Sequence, residues 1–573
     1  MEKKLGHPTC IPELFLNSVK TFPDNQAIKY KRGHHFEKLT YRDLGTLISS
    51  SANYLREIGF QKDDRAVIIS ENRPEWIISE LSVSFLGGIS VPVHEVLSAH
   101  QLVDIIFEIE PKVIFVSGTE VFEKVKILKN KKLPTVISFE NLEKGTVNFQ
   151  EIIKEKKTDL TKLSPFPEPD DLASIIYTSG TTGHFKGVKL THKNFISNII
   201  SVNEAIPIYQ KDLFFSILPL SHVFERTAGY YIPFYAGACI SYTCDLANIS
   251  AEIRKSKPTI VIAVPRLFDK IYEKIWEKAS SNFLTKFIFK LAFSIRANSR
   301  LHGLFDRLVY AKIRAQFGDN IRLFVSGGAP LSSKVGEFFE KVGFLILEGY
   351  GLTECSPVVC VNRQDDYQFG TVGKPVVDTE VKISDEGEVL VKGPGIFPGY
   401  MDERHNKQAF KDGWFKTGDL GCVNDKNRLV INGRKKELVV LSTGKKIAPI
   451  PIEEMLEASN FIDQAMVIGE GRKHITALIV PQYENLKERL GVNNRNKLIN
   501  SQEARELLNA EVTKSLEILA PYQRVHKFAI IPEAFTVENG QLTPTLKLRR
   551  HIILSTYRHE IEGLYSGKNE KRN

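Results

Sequence analysis

The sequence lacks features that several classes of protein require. It contains no apolar run of about eighteen residues, the length a membrane-spanning helix needs. Residues 1–8 carry lysines without an apolar segment behind them, so we expect no secretory signal peptide. The six cysteines are dispersed and form no CxxC pair, which argues against a disulfide framework or a zinc site. Reduced thiols in a cytoplasmic protein are therefore expected.

The positive charge is also too dispersed along the sequence for a nucleic-acid-binding protein. The net charge is +9 over 573 residues, which is modest for this length, so we expect no nucleic-acid partner. A positive balance suits an anionic substrate or an anionic membrane surface. Apolar content of 42% and charged content of 25% are ordinary for a globular protein, and the length allows roughly three or four domain-sized units.

Helix-like and strand-like segments alternate through the first third of the chain. Residues 41–55 show helical spacing, 66–69 are β-rich, 76–86 are helix-like and 89–93 strand-like. This alternation predicts an α/β fold with a largely parallel sheet. We expect a large N-terminal domain, residues 1–435, of layered α/β subdomains plus a β-rich subdomain. A small, mobile α+β C-terminal domain, residues 436–573, is expected to follow it.

A basic, proline-free stretch spans residues 275–317. Phe283, Phe287, Leu291 and Ile295 recur four residues apart, with lysines and arginines between them. Such stripes usually belong to a core, so we expect a helix packed on the body of the protein. The alternative is peripheral attachment to the inner face of a membrane, since basic amphipathic helices lie on lipid surfaces.

The densest chemical signal is the run Y-T-S-G-T-T-G-H-F-K-G-V at residues 177–188. Its glycines allow close backbone approach, its amides can form an anion-binding concavity, and its hydroxyls and lysine add donors and charge. This combination predicts a loop that holds a polyphosphate. It is not a Walker A motif, in which serine or threonine directly follows the lysine. A flexible polar hairpin loop is the alternative interpretation.

Further motifs follow this loop: S-G-G-A-P at 326–330, E-G-Y-G-L-T-E at 348–354, T-G-D at 417–419 and N-G-R-K-K-E at 432–437. The first is a glycine turn after a strand, where α/β sheets bind ligands. The second places an aromatic ring and a magnesium-compatible carboxylate together. The third puts a carboxylate on a turn, suited to ribose hydroxyls. The fourth gathers cations at the predicted domain boundary.

In order and spacing, these motifs resemble the adenylate-forming superfamily of acyl-CoA synthetases, luciferases and adenylation domains. The resemblance extends from about residue 39 to about residue 550. The segments L-P-L-S-H-V-F-E-R at 218–226, L-S-T-G-K-K-I-A-P at 441–449 and L-T-P-T-L-K at 542–547 look most like bacterial long-chain fatty acid–CoA ligases. No G-x-S-x-G nucleophile motif is present, and this chemistry needs none.

The resemblance implies a role for each matching residue. The ATP- and AMP-binding residues it implies are Thr178, Ser179, Gly180, Thr181, Thr182, Gly183, Lys186, Gly328, Ala329, Tyr350, Gly351, Thr353, Asp419 and Arg434. The catalytic residues it implies are Lys547, Glu354, Thr178 and His222, with Glu354 also the magnesium ligand. Lys436 matches the hinge and Gly444 the coenzyme A channel. His222 is equally well interpreted as a structural histidine bonded to backbone.

The implied activity is that of an ATP-dependent long-chain fatty acid–CoA ligase using ATP, Mg²⁺ and coenzyme A. Alternatives are an enzyme that loads a separate acyl carrier protein, a medium-chain or other carboxylate specificity, and a binding protein without activity. Chain-length preference and oligomeric state do not follow from the sequence. One residue departs from the family pattern: Phe185 stands where proline is usual before the lysine, so we expect a looser loop.

Overall fold

The computed structural model describes residues 6–33, 35–126, 134–142, 145–154, 159–163, 165–179, 185–242, 249–280, 282–294, 302–536, 538–543 and 548–566. Within these ranges, no helix combines the length and the apolar character needed to cross a bilayer. The predicted site residues Gly180, Thr181, Thr182, Gly183 and Lys547 lie outside the described residues.

Helices and strands alternate at the start of the chain, as predicted. They are α1 (Ile11–Thr21), β1 (Gln26–Arg32), β2 (His35–Thr40), α2 (Tyr41–Glu57), β3 (Arg65–Ile69), α3 (Pro74–Phe85), β4 (Ile89–Val93), α4 (Ala99–Ile109), β5 (Val113–Val116), α5 (Gly118–Lys126), β6 (Thr135–Ser138), β7 (Val147–Asn148) and α6 (Phe149–Lys154). Capping boxes start some of these helices: Thr40 and Asp43 exchange hydrogen bonds at the start of α2.

The middle of the chain continues the alternation. Its elements are β8 (Leu172–Ser179), β9 (Phe185–Thr191), α7 (His192–Ala205), β10 (Leu213–Ser216), α8 (Ile232–Ala236), β11 (Cys239–Tyr242), α9 (Ile249–Ser256), β12 (Ile260–Ala263), α10 (Pro265–Ser280), α11 (Phe283–Ser294), α12 (His302–Phe305), α13 (Ala311–Arg314), β13 (Leu323–Gly327), α14 (Ser333–Val342), β14 (Ile346–Gly351), β15 (Val358–Val361) and β16 (Lys374–Pro375). π-Helical turns cover Glu225–Tyr231 and Asp306–Tyr310.

The remainder begins with short strands and ends with helices. Its elements are β17 (Glu380–Ile383), β18 (Glu388–Lys392), β19 (Gly399–Tyr400), α15 (Asn406–Ala409), β20 (Phe410–Lys411), β21 (Trp414–Val423), β22 (Leu429–Arg434), β23 (Val439–Val440), β24 (Lys446–Ile447), α16 (Pro449–Glu457), β25 (Ile462–Ile468), β26 (Thr476–Pro481), α17 (Tyr483–Leu490), α18 (Arg495–Ile499), α19 (Gln502–Ser515), β27 (Phe528–Ile530), α20 (Arg550–Thr556) and α21 (Arg558–Tyr565).

Two large mixed sheets form the N-terminal region, residues 1–435. The first sheet has the order β19-β9-β8-β4-β3-β5-β6-β7, and the second has the order β16-β15-β14-β13-β12-β10-β11-β1-β2. The central pairs of both sheets are parallel, whereas β8–β9, β9–β19, β14–β15 and β1–β2 are antiparallel. A smaller antiparallel sheet joins β17, β18, β20, β21 and β22.

A fully buried ion pair connects the two large sheets. The Arg226 guanidinium, on the π-helical turn that follows β10, lies 2.7 Å from Glu80 of α3. It also donates to the hydroxyls of Ser90 and Ser174, on β4 and β8. Tyr230 donates to the same Glu80 carboxylate. Removing one partner of such a pair costs about 3–5 kcal/mol, because the other charge stays buried without compensation.

The C-terminal region, residues 436–573, packs β25, β26 and β27 against helices and contacts the N-terminal region through polar side chains. Arg266 of α10 forms an ion pair of 3.0 Å with Asp463. Lys334 of α14 donates to the backbone oxygen of Ala458 at 3.2 Å and to Asn460 at 3.0 Å. This contact is therefore polar, the kind of surface on which two regions can separate.

The structure corrects two local predictions. Residues 417–419 lie inside strand β21 rather than on a turn, because Asp419 pairs with Arg434 of the neighbouring strand. The stretch 275–317 is several helices, and its predicted core stripe points outward: Phe287 and Leu291 are exposed. The buried face of α11 is formed instead by Phe289 and Ala292, as the helix carries apolar residues on both sides.

The described cysteines are unpaired thiols. Cys10, Cys239, Cys355 and Cys360 are buried and Cys422 is exposed. Cys244 lies outside the described residues.

Candidate active site

A cavity of about 1890 Å³ runs between the sheets and reaches the C-terminal region. Many of the predicted site residues line it, namely Thr178, Lys186, His222, Gly328, Tyr350, Gly351, Thr353, Glu354, Arg434 and Lys436. Of the candidates whose side chains are described, Ala329, Asp419 and Gly444 do not line the cavity. The motifs that lie far apart in the sequence therefore meet at one place.

The stem of the predicted phosphate loop is a hairpin between β8 and β9. Its last described pair is Ser179 with Phe185, and residues 180–184 between them lie outside the described residues. Phe185 is half-buried and packs against an apolar cluster together with Tyr177 and Met401. The looser loop expected from Phe185 stays a prediction, because residues 180–184 lie outside the described residues.

Lys186 points from this stem into a group of aromatic and acidic side chains. Its Nζ lies 5.2 Å from the centre of the Tyr400 ring, and the Tyr400 hydroxyl donates to Glu354 Oε1 at 2.7 Å. Burial and the neighbouring Lys436 charge lower the pKa of Lys186, against the opposing effect of Glu354. Two lysines close together form a site that gains stability from a bound anion.

Beside this group, hydrogen bonds link three side chains from two sheets. Tyr350 at the end of β14 donates to Asp419 Oδ2 at 2.7 Å, and Arg434 Nε donates to Asp419 Oδ1 at 2.7 Å. Burial and the Asp419 carboxylate raise the pKa of Tyr350 well above its ordinary value, so its hydroxyl remains a donor. The Tyr350 ring is thereby held in place beside Gly328 and Gly351, which also line the cavity.

Close backbone packing explains one glycine of the E-G-Y-G-L-T-E motif. A Cβ at Gly351 would lie 1.8 Å from the carbonyl oxygen of Pro357, which is a backbone atom. At Gly349 the nearest atom would be 3.6 Å away, an ordinary contact. Gly351 is therefore required by the turn that presents Thr353 and Glu354.

One carboxylate of the site is suited to magnesium. Among the described residues, no group of three or more His, Cys, Asp and Glu side chains could hold a metal ion by itself. Glu354 nevertheless lines the cavity with one oxygen bonded to Tyr400. Mg²⁺ commonly binds through one or two carboxylates plus the phosphates of a substrate, and a single Glu354 fits that class.

Away from these polar groups, the cavity becomes an apolar arm. Its lining includes Val202 of α7, Ile206 and Ile208 just after α7, Ala228 and Ile232 of the π-helical segment and α8, and Phe214, Ile260, Ile262 and Val325 of the second sheet. On β12, Ile260 and Ile262 face this arm, while Val261 and Ala263 face a different apolar cluster. Period-two alternation along buried strands therefore supplies an apolar wall.

His222 lines the same cavity. It is exposed to the cavity, and its Nδ1 accepts a hydrogen bond of 3.3 Å from the Phe224 backbone N–H. The predicted backbone bond is therefore present, and the predicted role of His222 near the reacting groups stays a prediction. The backbone bond orients the imidazole without removing it from the cavity.

The C-terminal region contributes the remaining wall. Leu542, Thr543, Leu548 and Arg549 line the cavity, and these residues flank the segment 544–547 that ends at Lys547. Gly444 instead lies on a turn in which its N–H donates to Leu441 O at 2.8 Å, and the adjacent Lys445 stacks 4.4 Å from the Tyr522 ring. The structure thus brings the residues on both sides of the segment 544–547 to the cavity, whereas Gly444 lies apart from it.

Tyr400 was missed by sequence reasoning. It lies 46 residues after Glu354 in the chain and reaches that residue because β19 pairs with β9, next to Lys186. The available signal was weak: an aromatic residue after Gly399, close to the glycine-rich segment 393–395.

Comparison with known proteins identifies the family. The family model described as AMP-binding enzyme matches residues 15–401, and the model described as AMP-binding enzyme C-terminal domain matches residues 436–569. The chain belongs to the AMP-binding enzyme family. The resemblance to adenylate-forming enzymes and the α/β fold class predicted from the sequence are therefore confirmed.

Relatives of this AMP-binding enzyme cover nearly its whole length. Long-chain-fatty-acid–CoA ligase FadD15 of Mycobacterium bovis is 33% identical over 561 residues, 92% of each chain. The chloroplastic long-chain-fatty-acid–[acyl-carrier-protein] ligase AEE15 of Arabidopsis thaliana is 28% identical over 97% of this chain and 86% of its own. The fold resembles that of the anthranilate CoA ligase AuaEII in complex with anthranoyl-AMP, with a TM-score of 0.78, 20% identity and coverage of 97% and 99%.

Proposed function

We propose that this AMP-binding enzyme is an ATP-dependent long-chain fatty acid–CoA ligase. The observation that carries the proposal is a single cavity whose one end gathers Lys186, Tyr400 and Glu354 and whose other end is the apolar arm. A fatty carboxylate and a nucleoside triphosphate are the kind of pair such a cavity would bring together. The 33% identity to FadD15 over 92% of both chains supports the same substrate class.

In the first half-reaction, the fatty carboxylate would attack the α-phosphorus of ATP and pyrophosphate would leave. Lys186 and the hydroxyls of the 177–188 loop would hold the departing phosphates. Tyr350 would stack on adenine, and Asp419 with Arg434 would bind the ribose side. Glu354 would hold Mg²⁺, which supplies positive charge to the phosphates when bound. Charge gathers on oxygen in the transition state, so positioning and electrostatics dominate.

In the second half-reaction, the thiol of coenzyme A would attack the acyl carbon and AMP would leave. We propose that the chain divides at 435/436 and that the C-terminal domain turns about Lys436 between the steps. Gly444 would then approach the cavity as part of the coenzyme A channel. The polar contacts of Arg266 and Lys334 with the C-terminal region suit such an exchange, because they can break without exposing an apolar core.

The chain-length assignment is tested by measuring pyrophosphate release and coenzyme A ester formation with saturated acids from butyrate to behenate. The expected profile peaks at palmitate or longer acids. Ala228→Phe, which fills the apolar arm, should lower kcat/KM for palmitate by about tenfold or more and leave octanoate nearly unchanged. A wild-type profile that peaks at short acids would contradict the assignment. An unchanged profile in the Ala228→Phe variant would contradict it as well.

The proposed role of Lys547 has a separate test. Lys547 is assigned to adenylation, since a compact cation can bridge the carboxylate and the α-phosphate. Lys547→Ala should reduce acyl-AMP formation by several orders of magnitude and still convert supplied acyl-AMP to the thioester. Equal loss of both half-reactions would rule out a role limited to the first.

The hinge role is tested with Lys436→Pro, because proline restricts φ at the position about which rotation is proposed. Adenylation should persist while thioester formation slows. Lys435→Pro serves as a neighbouring control, and normal coupled turnover of Lys436→Pro would remove the hinge from this position.

A second candidate function is loading of a separate acyl carrier protein, favoured by the 28% identity to AEE15 over 97% of this chain. Side-by-side thioester assays with free coenzyme A and with holo acyl carrier protein distinguish the two acceptors. Faster turnover with coenzyme A supports the ligase proposed above, and turnover only with carrier protein supports the alternative.

A further inference from the structure

A second, smaller cavity lies near the edge of the second large sheet. Its volume is about 460 Å³, within the range of roughly 300–1,000 Å³ that is usual for small-molecule sites. The lining side chains that matter below are Gln26, Lys29, Lys38, Lys211, Asp212 and Cys239, and we call this cavity the basic pocket. None of these six residues lines the cavity of the candidate active site.

The basic pocket and the candidate active site lie toward opposite ends of the same strands. Strand β11 runs parallel to β1 and to β10, and Gln26, Leu213 and Cys239 are the first residues of these three strands. All three line the basic pocket, which therefore lies at the amino ends of the strands. The larger cavity includes Pro219 and His222, which follow the carboxyl end of β10. The basic pocket thus has no part in the reaction proposed above.

Three lysines surround the basic pocket. Lys29 of β1 and Lys38 of β2 are direct cross-strand partners, an arrangement that destabilises an antiparallel pair because the charges repel. Lys29 Nζ donates to Ser256 O at 3.2 Å and lies 4.5 Å from the centre of the Phe36 ring. Within the described ranges, no carboxylate forms an ion pair with Lys29, Lys38 or Lys211. The positive charge of the pocket is therefore uncompensated.

The electrostatic state of Lys29 reflects this excess of charge. Burial lowers the pKa of Lys29, and the charges of Lys38 and Lys257 lower it further, while the Cys239 thiol opposes them. A nearby anion favours the charged form of a lysine. Binding of an anion in the basic pocket would therefore relieve the repulsion that the cross-strand lysines create.

The acidic residue of the pocket lining is already neutralised. Asp212 accepts hydrogen bonds from Arg322 Nη2 at 2.6 Å and from Arg322 Nε at 2.9 Å. It also accepts from the Thr259 hydroxyl at 2.9 Å and from the Tyr209 backbone N–H at 2.8 Å. These bonds fix the turn that carries Lys211, and they direct the carboxylate charge to Arg322 rather than to the lysines.

An unsatisfied donor adds to the three cations. The Nε2 of Gln26 is buried and has no hydrogen-bond acceptor of ordinary geometry among the described residues. The neighbouring Cys239 thiol offers only a weak acceptor. Buried amide donors normally find a partner, so this orphaned group indicates that the pocket receives an acceptor from outside the chain.

We propose that the basic pocket binds the phosphate group of a small soluble phosphate compound. The three lysines would supply the charge and Gln26 a further donor. Lysine is a common phosphate-binding residue. A phosphate monoester carries close to two negative charges near pH 7 and several acceptor oxygens, which suits this donor set better than a single carboxylate does.

The test is hydrogen–deuterium exchange of the full-length protein with and without added anions. The probes are inorganic pyrophosphate, glucose 6-phosphate and, as a carboxylate of comparable charge, citrate. The phosphate compounds should slow amide exchange at residues 209–213, the turn that carries Lys211. Slowing by pyrophosphate alone would identify the free ion as the ligand, and slowing by both would identify phosphate esters as well. No slowing by either phosphate compound, or equal slowing by citrate, would overturn the proposal.

Charge variants connect this response to the lysines. Lys38→Glu with Lys211→Glu should weaken pyrophosphate binding at residues 209–213 by about tenfold or more, since two attractive charges become repulsive. Lys38→Arg with Lys211→Arg keeps the charge and should retain binding. The matched control is Lys426→Glu with Lys497→Glu, which makes the same change in net charge at two exposed lysines elsewhere. An equal loss in this control would reduce the effect to overall charge and overturn the proposal.

A stability measurement separates binding from a structural role of Lys38. Lys38→Glu places an opposite charge across from Lys29, so its melting temperature in anion-free buffer should equal or exceed that of the unchanged protein. Glucose 6-phosphate should raise the melting temperature of the unchanged protein more than that of the variant. A lower melting temperature of the variant in anion-free buffer, with the same response to glucose 6-phosphate, would assign Lys38 to folding and overturn the proposal.

Discussion

Tyr400 couples the predicted phosphate-binding lysine to the predicted magnesium ligand. Its ring lies under Lys186 Nζ at 5.2 Å and its hydroxyl reaches Glu354 at 2.7 Å. Tyr400→Phe removes only the hydroxyl. We expect kcat for pyrophosphate release to fall by about tenfold, since a hydrogen bond to a charged group is worth about 1.5 kcal/mol.

Comparing Tyr400→Phe with Tyr400→Leu separates the effect of the hydroxyl from the effect of the ring. Tyr400→Leu also removes the ring from Lys186 and should additionally raise the KM for ATP. Magnesium titrations at saturating ATP should show a weaker metal dependence in both variants. Wild-type kinetics for Tyr400→Phe would mean that the hydroxyl bond is incidental.

At this scale, the sequence predicted residues within motifs but not all of their partners. Lys186, Tyr350, Glu354 and Arg434 all line the cavity as the motifs suggested. The bond between Tyr350 and Asp419 joins residues 69 positions apart, and it depends on how the sheet of β21 meets the end of β14. Such pairings follow from tertiary packing, which local patterns do not encode.

Strand β14 offers a paired test of backbone packing at the site. Gly351→Ala would place a Cβ 1.8 Å from Pro357 O, so the backbone must move. We expect destabilisation by about 1–3 kcal/mol or more and loss of adenylation. Gly349→Ala meets its nearest atom at 3.6 Å and should keep its melting temperature. Equal melting temperatures for both variants would contradict this reading of the turn.

Phe185 is the first residue of β9, and it stands where the resemblance leads us to expect proline. Its ring packs against the apolar cluster that also holds Tyr177 and Met401. Phe185→Ala should raise the KM for ATP about fivefold with kcat little changed, because roughly 1 kcal/mol of ring burial holds the loop stem. Phe107→Ala, at an exposed ring of α4, is the control. A larger effect on kcat than on KM would point to a direct role in the reaction.

Helix α11 shows why a periodic pattern does not fix which side of a helix is inside. The four-residue spacing of Phe287 and Leu291 predicted a buried face, which was wrong, because Phe289 and Phe293 form a second apolar face. The structure buries the second, because Phe293 stacks on Phe338 of α14 with ring centres 4.8 Å apart. Two apolar faces compete, and only the shape of the neighbouring elements decides between them.

The contact between the N-terminal and C-terminal regions should depend on pH. Burial raises the pKa of Asp269 to about 6 and that of Glu273 to about 7, with Asp463 reinforcing and Arg266 opposing both shifts. Lys270 also opposes the shift of Glu273. When the regions separate, both carboxyls should return toward ordinary pKa values near 4. The docked arrangement therefore binds protons more tightly than the separated one.

Docking of the two regions should therefore weaken as the pH rises. The contribution of these carboxyls to docking is fully present below about pH 4 and is lost as pH rises through the raised pKa values. The radius of gyration from solution X-ray scattering should accordingly increase between pH 5.5 and pH 8 (roughly the range in which these groups titrate). Asp269→Asn with Glu273→Gln removes the titrating groups and should flatten the profile. The same increase in that variant would assign the effect to other groups.

The strand orders of the two large sheets determine when each sheet can form during synthesis on the ribosome. In the second sheet, β2 and β1 form one edge, and β1 pairs with β11: Ile28 lies beside Ile240, which is 212 residues later in the chain. The first sheet is completed only by β19, at Gly399–Tyr400. Neither sheet can close until the ribosome has delivered most of the N-terminal region. At roughly 5–20 residues per second, the earliest strands wait for tens of seconds, and this exposed interval is when nascent chains need chaperones.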